Sequence, residues 1–439
     1  MSALSHGDPG AALAEIVGSV HVLSGEAVEA FRVDGRTPRW VAVPGTVEEV
    51  SRCLRLASAE GLAVSPTGGG TRLQWGNPPR ALDLVLSLRR LNRILAHEPA
   101  DLTMSVEAGA SLGALNAFLR AHRQLVPLDP ARAADSTVGG LIATGASGPY
   151  RARYGTMREL LLGLTVVQAN GTIVKGGGRV VKNVTGYDMP KLHVGALGTL
   201  GVVVTAHLRL HPAPAAAGTW LFGFPSAEAA LEAALGLLDA PLVLSRVELL
   251  DRAALARLGY AGAPEAALGV TVGSVPEAVR AQGQRVEEIC RRGAGSPISV
   301  HGFDEWWRAV SDATLPDNPA GCLVLRIGSR TTDVVKALRV VEAAAGARTG
   351  LRTTAEVVNG VLHPVLSGEP GDMAPLVTRI RDGLAVLGAT CVVEHAPVET
   401  KPALDAWGDV GPALDAMRRL KAELDPGGVL NPGRYVGGI

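Results

Sequence analysis

The sequence has few cysteines and no excess charge of either sign. Its cysteines are Cys53, Cys290, Cys322 and Cys391. None shows the Cys-x-x-Cys spacing, which argues against a zinc knuckle, a thiol redox motif or an iron–sulfur cluster within this chain. Lys plus Arg and Asp plus Glu each number 42, so no bulk electrostatic attraction to nucleic acid or anionic lipid is expected. A small-molecule ligand is favoured instead.

Long hydrophobic runs are also absent. No segment reaches 18 uninterrupted apolar residues, and the N-terminus lacks the basic start and apolar stretch of a secretory signal. We therefore expect a cytoplasmic protein without direct membrane insertion, which reaches the inner membrane at most peripherally, through a partner subunit. The 439 residues, 47% of them hydrophobic, are enough for two or three domains with their own cores.

Glycine is abundant, at 54 of 439 residues, and it is clustered. The first cluster, SPTGGGTRLQWG (65–76), follows a predicted strand–helix–strand unit. Consecutive glycines allow backbone N–H groups to approach a phosphate without interference from a Cβ atom. The Lys-Ser/Thr pair of a P-loop is missing. Taken alone, this cluster also fits a flexible loop.

Two further glycine clusters lie at 135–163 and 176–204. Small side chains at these positions would let a flavin ring or a pyrophosphate lie against the backbone. Tight packing of turns explains one such cluster equally well. Three clusters in one predicted domain indicate a bound nucleotide cofactor.

Simple patterns predict some local structure. Asn170-Gly171 between two apolar runs predicts a β-hairpin with a type I′ turn. The Pro- and Ala-rich segment 211–218 predicts a domain junction. After it, strands alternate with helices, which predicts a second α+β domain with its helices on one face of a sheet.

Together with the terminal LDPGGVLNPGR, the three glycine clusters resemble the FAD-binding fold of vanillyl-alcohol oxidase and the p-cresol methylhydroxylase (PCMH) flavoproteins. Within that superfamily, the sequence most resembles the FAD-binding subunit of bacterial glycolate oxidase. The resemblance implies an α+β protein: a PCMH-type FAD-binding domain of two α/β subdomains, then an α+β cap or substrate domain. The implied parts are an N-terminal helical segment (1–35), the FAD-binding domain (36–215), the C-terminal domain (216–415), and a helix and tail that return to the flavin domain (416–439).

The resemblance also implies which residues bind FAD. The expected set is Thr67, Gly68, Gly69, Gly70, Thr71, Ser136, Gly139, Gly140, Gly145, Ser147, Gly148, Gly198, Gly201 and Val202. Covalent relatives attach flavin through a His near the first cluster or a Cys in the second. Here Thr71 follows the glycines and 135–163 contains no Cys, so non-covalent FAD is implied. Catalytic relatives usually carry Asn where Gly145 stands, and this glycine points to the accessory subunit of glycolate oxidase.

The C-terminal half resembles the His-rich stretches that supply a metal site and a base in relatives that oxidise D-lactate or D-2-hydroxyglutarate. The corresponding residues are Glu356, His363 and Glu394, with Glu356 in place of the first His. Whether this set binds a divalent metal stays open. His395 is the implied base that takes the hydroxyl proton, a role suited to imidazole. A structural His at a strand end is the alternative.

Two arginines are candidates for binding a substrate carboxylate. Arg308, in EWWRAVSD (305–312), resembles the Arg that grips the carboxylate in relatives, and its planar fork matches a carboxylate. An ion pair with Glu305 or Asp312 is its alternative role. Arg326 is the second candidate.

These expectations combine into one function. The chain is expected to oxidise a small 2-hydroxy acid, such as glycolate or D-lactate, to the 2-oxo acid with FAD. Electrons would pass to an iron–sulfur partner beside a sister flavoprotein subunit, or to another acceptor such as oxygen. The alternative is a non-catalytic, FAD-binding electron-relay or assembly subunit, which Gly145 and the altered His-rich stretches favour.

Overall fold

The computed structural model describes residues 8–179, 187–260, 262–346 and 349–439. The chain begins with a small sheet of β1 (Val22–Leu23), β2 (Trp40–Ala42), β3 (Val64–Thr67) and β4 (Leu84–Ser87), beside α1 (Pro9–Val17) and α2 (Val47–Glu60). The order is β1-β2-β4-β3, with β4 parallel to both β2 and β3. The predicted strand–helix–strand unit is confirmed: Thr46 caps α2, and Gly61 ends it in the left-handed region.

A second, antiparallel sheet follows. Its strands are β5 (Ile94–Glu98), β6 (Thr103–Glu107), β8 (Leu161–Val167), β9 (Ile173–Gly177) and β10 (Val202–Arg209), in the order β5-β6-β10-β8-β9, while β7 (Gln124–Leu125) pairs with β11 (His211–Pro212). The helices are α3 (Leu112–Arg120), α4 (Val138–Thr144), α5 (Arg151–Tyr154), α6 (Met157–Leu160) and α7 (Pro190–His193). β11 occupies the start of the predicted junction.

The hairpin between β8 and β9 is confirmed, but its predicted type I′ turn is wrong. Gly171 is left-handed with φ 82°, whereas Asn170 has no positive φ. The N–H of Gly171 donates to the carbonyl of Gln168 at 2.9 Å, as in a type I turn followed by a glycine bulge. The Asn170 side chain accepts from the N–H of Thr172 at 2.9 Å. This local hydrogen bond satisfies the N–H of Thr172 and stabilises the turn without a positive φ at Asn170.

One apolar core joins the two sheets of this first part of the chain. Buried side chains from α2, α3 and both sheets contribute to it, among them Leu54, Met104 and Leu115. Leu430 of the C-terminal tail belongs to the same core. On either side of Leu430, the tail hydrogen-bonds to the backbone N–H and carbonyl of Val64, at 2.7 and 2.9 Å. The tail therefore packs against β3 directly before the first glycine cluster.

The second part of the chain is built on a larger antiparallel sheet. Its strands are β12 (Ala216–Phe224), β13 (Leu244–Asp251), β14 (Ala266–Ser274), β15 (Ser296–Ile298), β16 (Cys322–Gly328), β17 (Gly350–Glu356), β18 (Val361–Ser367) and β19 (Thr390–His395), in the order β15-β12-β14-β13-β17-β18-β16-β19. The helices are α8 (Ala227–Leu238), α9 (Arg252–Arg257), α10 (Pro276–Arg292), α11 (Phe303–Asp312), α12 (Val334–Ala345), α13 (Pro370–Ala385) and α14 (Ala413–Leu424). Of the helices in the described ranges, none is long and apolar enough to cross a membrane.

Helices cover both faces of this sheet, so the expectation of one covered face is wrong. Helices α8, α10, α12 and α13 pack on the face that carries Leu249, while α9 and α11 pack on the face that carries Leu250. Side chains alternate along β13, so Arg246 and Glu248 share the face of Leu250. That face meets the first part of the chain, because Arg246 Nε lies 2.8 Å from Asp129 Oδ2. The α+β class itself is confirmed, and the expected domain boundaries stay predictions.

A buried lysine joins the two parts of the chain. The Lys401 ammonium, with a side chain only 2% exposed, donates to Asp34 Oδ1 at 2.7 Å. It also donates to the carbonyls of Gln74 and, at 3.2 Å, Gly76. The Asp34 side chain is fully buried. Lys401 therefore compensates a buried charge and holds the segment that follows the glycine loop.

We predict that Lys401→Met lowers the free energy of unfolding by about 3–5 kcal/mol, because it leaves the buried Asp34 carboxylate without its cation. Lys336→Met is the control, since Lys336 pairs with Asp333 through a side chain that is 67% exposed. Its expected effect is below about 1 kcal/mol. Urea denaturation followed by circular dichroism measures both. Similar losses in the two variants would contradict a structural role for Lys401.

Candidate active site

Three neighbouring cavities follow the glycine clusters. The inner cavity, of about 50 Å³, is lined by residues that include Gly139, Gly198 and Val202. The loop cavity, of about 70 Å³, runs along residues 66–73. The main cavity, of about 370 Å³, extends from Gly145 to the large C-terminal sheet.

These adjacent cavities share lining residues, and together they are called the cleft. Thr67, Gly68 and Gly140 line both the inner and the loop cavities. Thr71 and Arg72 line both the loop and the main cavities. An elongated dinucleotide fits this shape, with its phosphates at the glycine loop and its ring system at the main cavity.

The structure brings the expected FAD-binding residues to this cleft. The loop cavity is lined by Thr67, Gly68, Gly69, Gly70 and Thr71, the inner cavity by Gly139, Gly140, Gly198, Gly201 and Val202, and the main cavity by Gly145, Ser147 and Gly148. Ser136 lies behind the wall, where its hydroxyl accepts from Arg72 at 2.9 Å and donates to the carbonyl of Arg132 at 2.9 Å. Ser136 therefore supports the cleft from behind. The individual roles of these residues stay predictions.

The first glycine loop offers unpaired backbone donors. Among the described residues, the N–H groups of Gly69, Gly70 and Thr71 have no acceptor. Arg89 holds the opposite edge of the loop, since its guanidinium donates to the carbonyls of Gly68 and Gly69 at 3.1 and 3.3 Å. Such a run of free N–H groups suits a phosphate anion. Sequence reasoning missed Arg89, which lies outside the glycine clusters.

Gly68 and Gly69 are also required for contact between two loops. A Cβ atom at Gly68 would overlap the hydroxyl of Thr137, and one at Gly69 would overlap the carbonyl of Asp135. The expected reason for these glycines was the approach of a phosphate. The structure adds a steric reason, because a side chain at either position would push the first glycine loop away from the second.

Gly145 ends α4 in the left-handed region, with φ 64° and ψ 21°. Glycine adopts this conformation without strain, and Asn tolerates it better than most other residues. A Cβ atom here would lie 3.5 Å from the nearest heavy atom, Cα of Gly195. The position therefore accepts either residue type, and its backbone conformation explains both the glycine here and an asparagine in relatives.

Arg72 is a buried cation at the junction of the loop and main cavities. Its Nη1 donates to the hydroxyls of Thr71 and Ser136 at 3.0 and 2.9 Å, and its Nη2 donates to the carbonyl of Ala131 at 2.7 Å. Burial lowers the pKa of Arg72 to about 10, so the guanidinium stays charged at neutral pH. This fixed positive charge was not singled out from the sequence, where Arg72 is one arginine among many.

His395 lines the main cavity, but both of its ring nitrogens already have partners. Nε2 lies 2.8 Å from the carbonyl of Pro319, and Nδ1 lies 3.1 Å from the side-chain amide of Gln74. Burial lowers the pKa of His395 below its ordinary value. A neutral imidazole that donates from Nε2 therefore needs Gln74 to move before Nδ1 can accept a substrate proton. The catalytic role of His395 stays a prediction.

The two expected carboxylate-binding arginines lie in different places. Arg308 is exposed on α11 and does not line the main cavity. Arg326 lines it, but its Nε donates to Glu394 Oε1 at 2.9 Å. Arg151, at the start of α5, also lines the cavity next to the second glycine cluster. Among the described residues, three arginines therefore line the main cavity, Arg72, Arg151 and Arg326, and Arg326 is paired with Glu394.

The possible metal set does not fit a metal ion as arranged. Glu394 pairs with Arg326, while His363 Nε2 lies 3.7 Å from Glu356 Oε1. Within the described ranges, no three His, Cys, Asp or Glu side chains are grouped to hold a metal. Glu248, which sequence reasoning missed, lies directly opposite Glu356 in the β13–β17 pair. An isolated Glu in an apolar strand gives no signal that it faces another carboxylate.

The carboxylates at this end of the main cavity oppose one another electrostatically. The pKa of Glu248 is raised well above its ordinary value, first by burial and then by the negative charges of Glu356 and Asp129. Burial also raises the pKa of Asp129, although Arg246 acts in the opposite direction. Burial and the neighbouring carboxylates therefore favour the protonated, neutral form of Glu248.

Comparison with known proteins agrees with this geometry. Residues 38–177 match the FAD binding domain family, and residues 329–435 match the C-terminal domain of FAD linked oxidases. Over 431 residues, the chain is 31% identical to a probable mitochondrial D-lactate dehydrogenase of Danio rerio, covering 91% of this chain and 85% of that protein. This chain belongs to the FAD-linked oxidoreductase family. Its cofactor is FAD, which the cleft and the free N–H groups of the glycine loop fit.

Two further relatives support the family and the fold. The glycolate oxidase subunit GlcD of Bacillus subtilis is 28% identical over 421 residues, covering 90% of this chain and 88% of that protein. The structure of p-cresol methylhydroxylase superposes with a TM-score of 0.76 at 14% identity, covering 97% of this chain and 96% of that one. The expected PCMH-type fold of this FAD-linked oxidoreductase is therefore confirmed.

We predict that Gly69→Ala lowers the FAD content of the purified protein at least tenfold, because the new Cβ displaces the loop from Asp135. Gly371→Ala is the control, since no heavy atom lies within 4 Å of a Cβ at that position. The ratio of flavin to protein absorbance measures FAD content, and circular dichroism verifies folding. Full FAD retention by folded Gly69→Ala would contradict the role assigned to the loop.

Proposed function

We propose that this chain oxidises a small 2-hydroxy acid to the 2-oxo acid in the main cavity. The observation that carries the proposal is the composition of that cavity. The cavity is lined by residues 145–148, at the predicted flavin position, by the cations Arg72 and Arg151, and by the two imidazoles His363 and His395. A 2-hydroxy acid needs these three elements: an electron acceptor, a cation for its carboxylate and a base for its hydroxyl proton.

Carboxylate binding is assigned to Arg72 and Arg151. A guanidinium matches the geometry of a carboxylate, and a charge-assisted hydrogen bond of this kind contributes about 1.5–3 kcal/mol. Arg72 is fixed by three hydrogen bonds, so it loses little conformational freedom when substrate binds. Arg308 is exposed on α11 and does not line the cavity, whereas Val310 and Ser311 of the same helix do.

Bound FAD would supply the two-electron acceptor for oxidation at C2 of the substrate. The chain itself has to remove the hydroxyl proton. His395 is the base expected from the resemblance, but its ring nitrogens bond to Pro319 and Gln74. His363 Nδ1 is buried and has no hydrogen-bond partner among the described residues. This geometry favours His363 as the proton acceptor, with Glu356 near its other nitrogen.

Electrons have to leave through another molecule. Among the described residues the four cysteines are buried free thiols, and the sequence lacks the spacing that would bind an iron–sulfur cluster. The Bacillus subtilis relative is named as a subunit, which supports a multi-subunit complex. The electron-accepting partner subunit and the cytoplasmic location are part of the same proposal. The alternative function, a relay or assembly subunit, is favoured by Gly145 and by the bonded state of His395.

The experiment that tests the proposal is anaerobic titration of the FAD-loaded chain with glycolate, D-lactate and other 2-hydroxy acids. Bleaching of the flavin absorption by one of them would support oxidation by this chain. Absorption that stays unchanged with all of them, while FAD remains bound, would contradict it and support the relay function.

We predict that His363→Ala slows flavin reduction by about 10²–10⁴-fold, the usual contribution of a positioned base. His395→Ala distinguishes the two candidates: a similar loss there, with His363→Ala unaffected, would assign the base to His395. His122→Ala is the control, since His122 is exposed and lies outside the cavity. Stopped-flow absorbance measures the rates, and the flavin content of each variant verifies that FAD is retained.

A further inference from the structure

A hydrogen-bonded junction outside the main cavity connects the second glycine cluster to the C-terminal sheet. Asp129 Oδ1 accepts from the N–H of Tyr150 at 2.8 Å, and Asp129 Oδ2 accepts from Arg246 Nε at 2.8 Å. Neither Asp129 nor Arg246 lines the main cavity. One carboxylate therefore connects the backbone of the glycine cluster to strand β13.

Gly148 lies directly against the same carboxylate-bearing residue. A Cβ atom at Gly148 would overlap the carbonyl oxygen of Asp129, so only glycine fits here. Residues 147–149, at and beside the predicted flavin position, line the main cavity, and so does Arg151 at the start of α5. The position of this wall of the cavity therefore depends on the position of Asp129.

Arg246 contacts Tyr150 from a second side. Its guanidinium carbon lies 3.6 Å from the centroid of the Tyr150 ring. The side chains of Arg246 and Asp129 are only 9% and 15% exposed. A cation–π contact and a charge-assisted hydrogen bond are both stronger where little water reaches them. Strand β13 thus holds Tyr150 through its backbone and through its ring.

The chain segment 129–132 also supports the second arginine of the proposed carboxylate site. The carbonyl of Ala131 accepts from Arg72 Nη2 at 2.7 Å, and Ala131 lines the main cavity. At the next residue, the N–H of Arg132 donates to Asp312 Oδ1 on α11 at 2.8 Å. This segment therefore joins β13 and α11 to both arginines that are proposed to bind the substrate carboxylate.

We propose that Asp129 and Arg246 are positioning residues of the active site, through which the C-terminal sheet sets the position of residues 147–149 and of Arg151. Neither side chain lines the main cavity, so both act through the backbone of the second glycine cluster. Helix α5 packs against β13, which places Arg151 on the same support. The effect on substrate binding by Arg151 rests on the proposed function, whereas the effect on the wall beside the flavin does not.

The test compares Arg246→Met and Asp129→Asn with the unmodified FAD-loaded chain. Both variants should retain FAD, because the free N–H groups of the first glycine loop and the bonds of Arg89 are unchanged. The visible circular dichroism of the bound flavin should change, because it reports the protein groups around the ring. Flavin reduction by a 2-hydroxy acid should slow about 10–100-fold, as expected for a displacement of about an ångström. Asp129→Asn changes shape little and provides the test if Arg246→Met folds poorly.

A double-mutant cycle distinguishes a coupled pair from two independent residues. The double variant should reduce flavin no more slowly than the slower single variant, because either change already breaks the shared bond. A loss equal to the product of the two single losses would overturn the pairing. Arg246→Lys keeps the charge without the planar guanidinium, so its rate should lie between those of Arg246→Met and the unmodified chain. Arg339→Met is the control, since it removes an exposed ion pair with Glu228 and should change neither readout.

The two readouts separate this inference from the proposed function. If no 2-hydroxy acid reduces the unmodified chain, the oxidation proposal fails, and a changed flavin dichroism in the variants still supports the positioning role. If the unmodified chain is reduced and both folded variants keep its dichroism and its rate, the inference is overturned, even where their thermal stability falls. FAD lost from folded variants, with an unchanged spectrum of the FAD that remains, would also overturn it, since the pair would then act on the first glycine loop.

Discussion

The close contact between the first two glycine clusters is the constraint on which the rest of the site depends. Gly68 and Gly69 lie so near Thr137 and Asp135 that neither position has room for a Cβ atom. In the same loop, the N–H groups of residues 69–71 have no acceptor among the described residues, while Arg89 donates to the carbonyls of Gly68 and Gly69. One backbone arrangement thus creates both the anion-binding surface and the wall between the loop and main cavities.

The segment that follows the loop is held by the C-terminal part of the chain. Arg434 donates to the carbonyls of Leu73 and, at 2.7 Å, Trp75, while Lys401 donates to those of Gln74 and Gly76. Buried cations that satisfy consecutive carbonyls leave the backbone few alternative conformations. The cofactor loop is therefore completed by residues more than 300 positions away, which links the geometry of the FAD site to docking of the C-terminal domain.

The main cavity combines opposite electrostatic environments. Near the FAD-binding domain it presents Arg72, which is fixed by hydrogen bonds. On the C-terminal sheet it presents Glu248 opposite Glu356, and burial, together with the charges of Glu356 and Asp129, raises the pKa of Glu248 well above its ordinary value.

The sequence by itself determined the fold class, the glycine-rich cofactor cleft and most strands, because glycine clusters and apolar alternation are local signals. It did not reveal β17, GLRTTAE, because its consecutive Arg352, Thr353 and Thr354 show no apolar alternation although all three are buried. Nor did it reveal Arg89, Glu248 or the bonded state of His395, since each depends on which strands are neighbours. Register across β13, β17 and β18 decides which carboxylates share a cavity, and register is a property of tertiary pairing. Local sequence therefore predicts where the cofactor binds, and only the tertiary structure decides which side chains face the substrate.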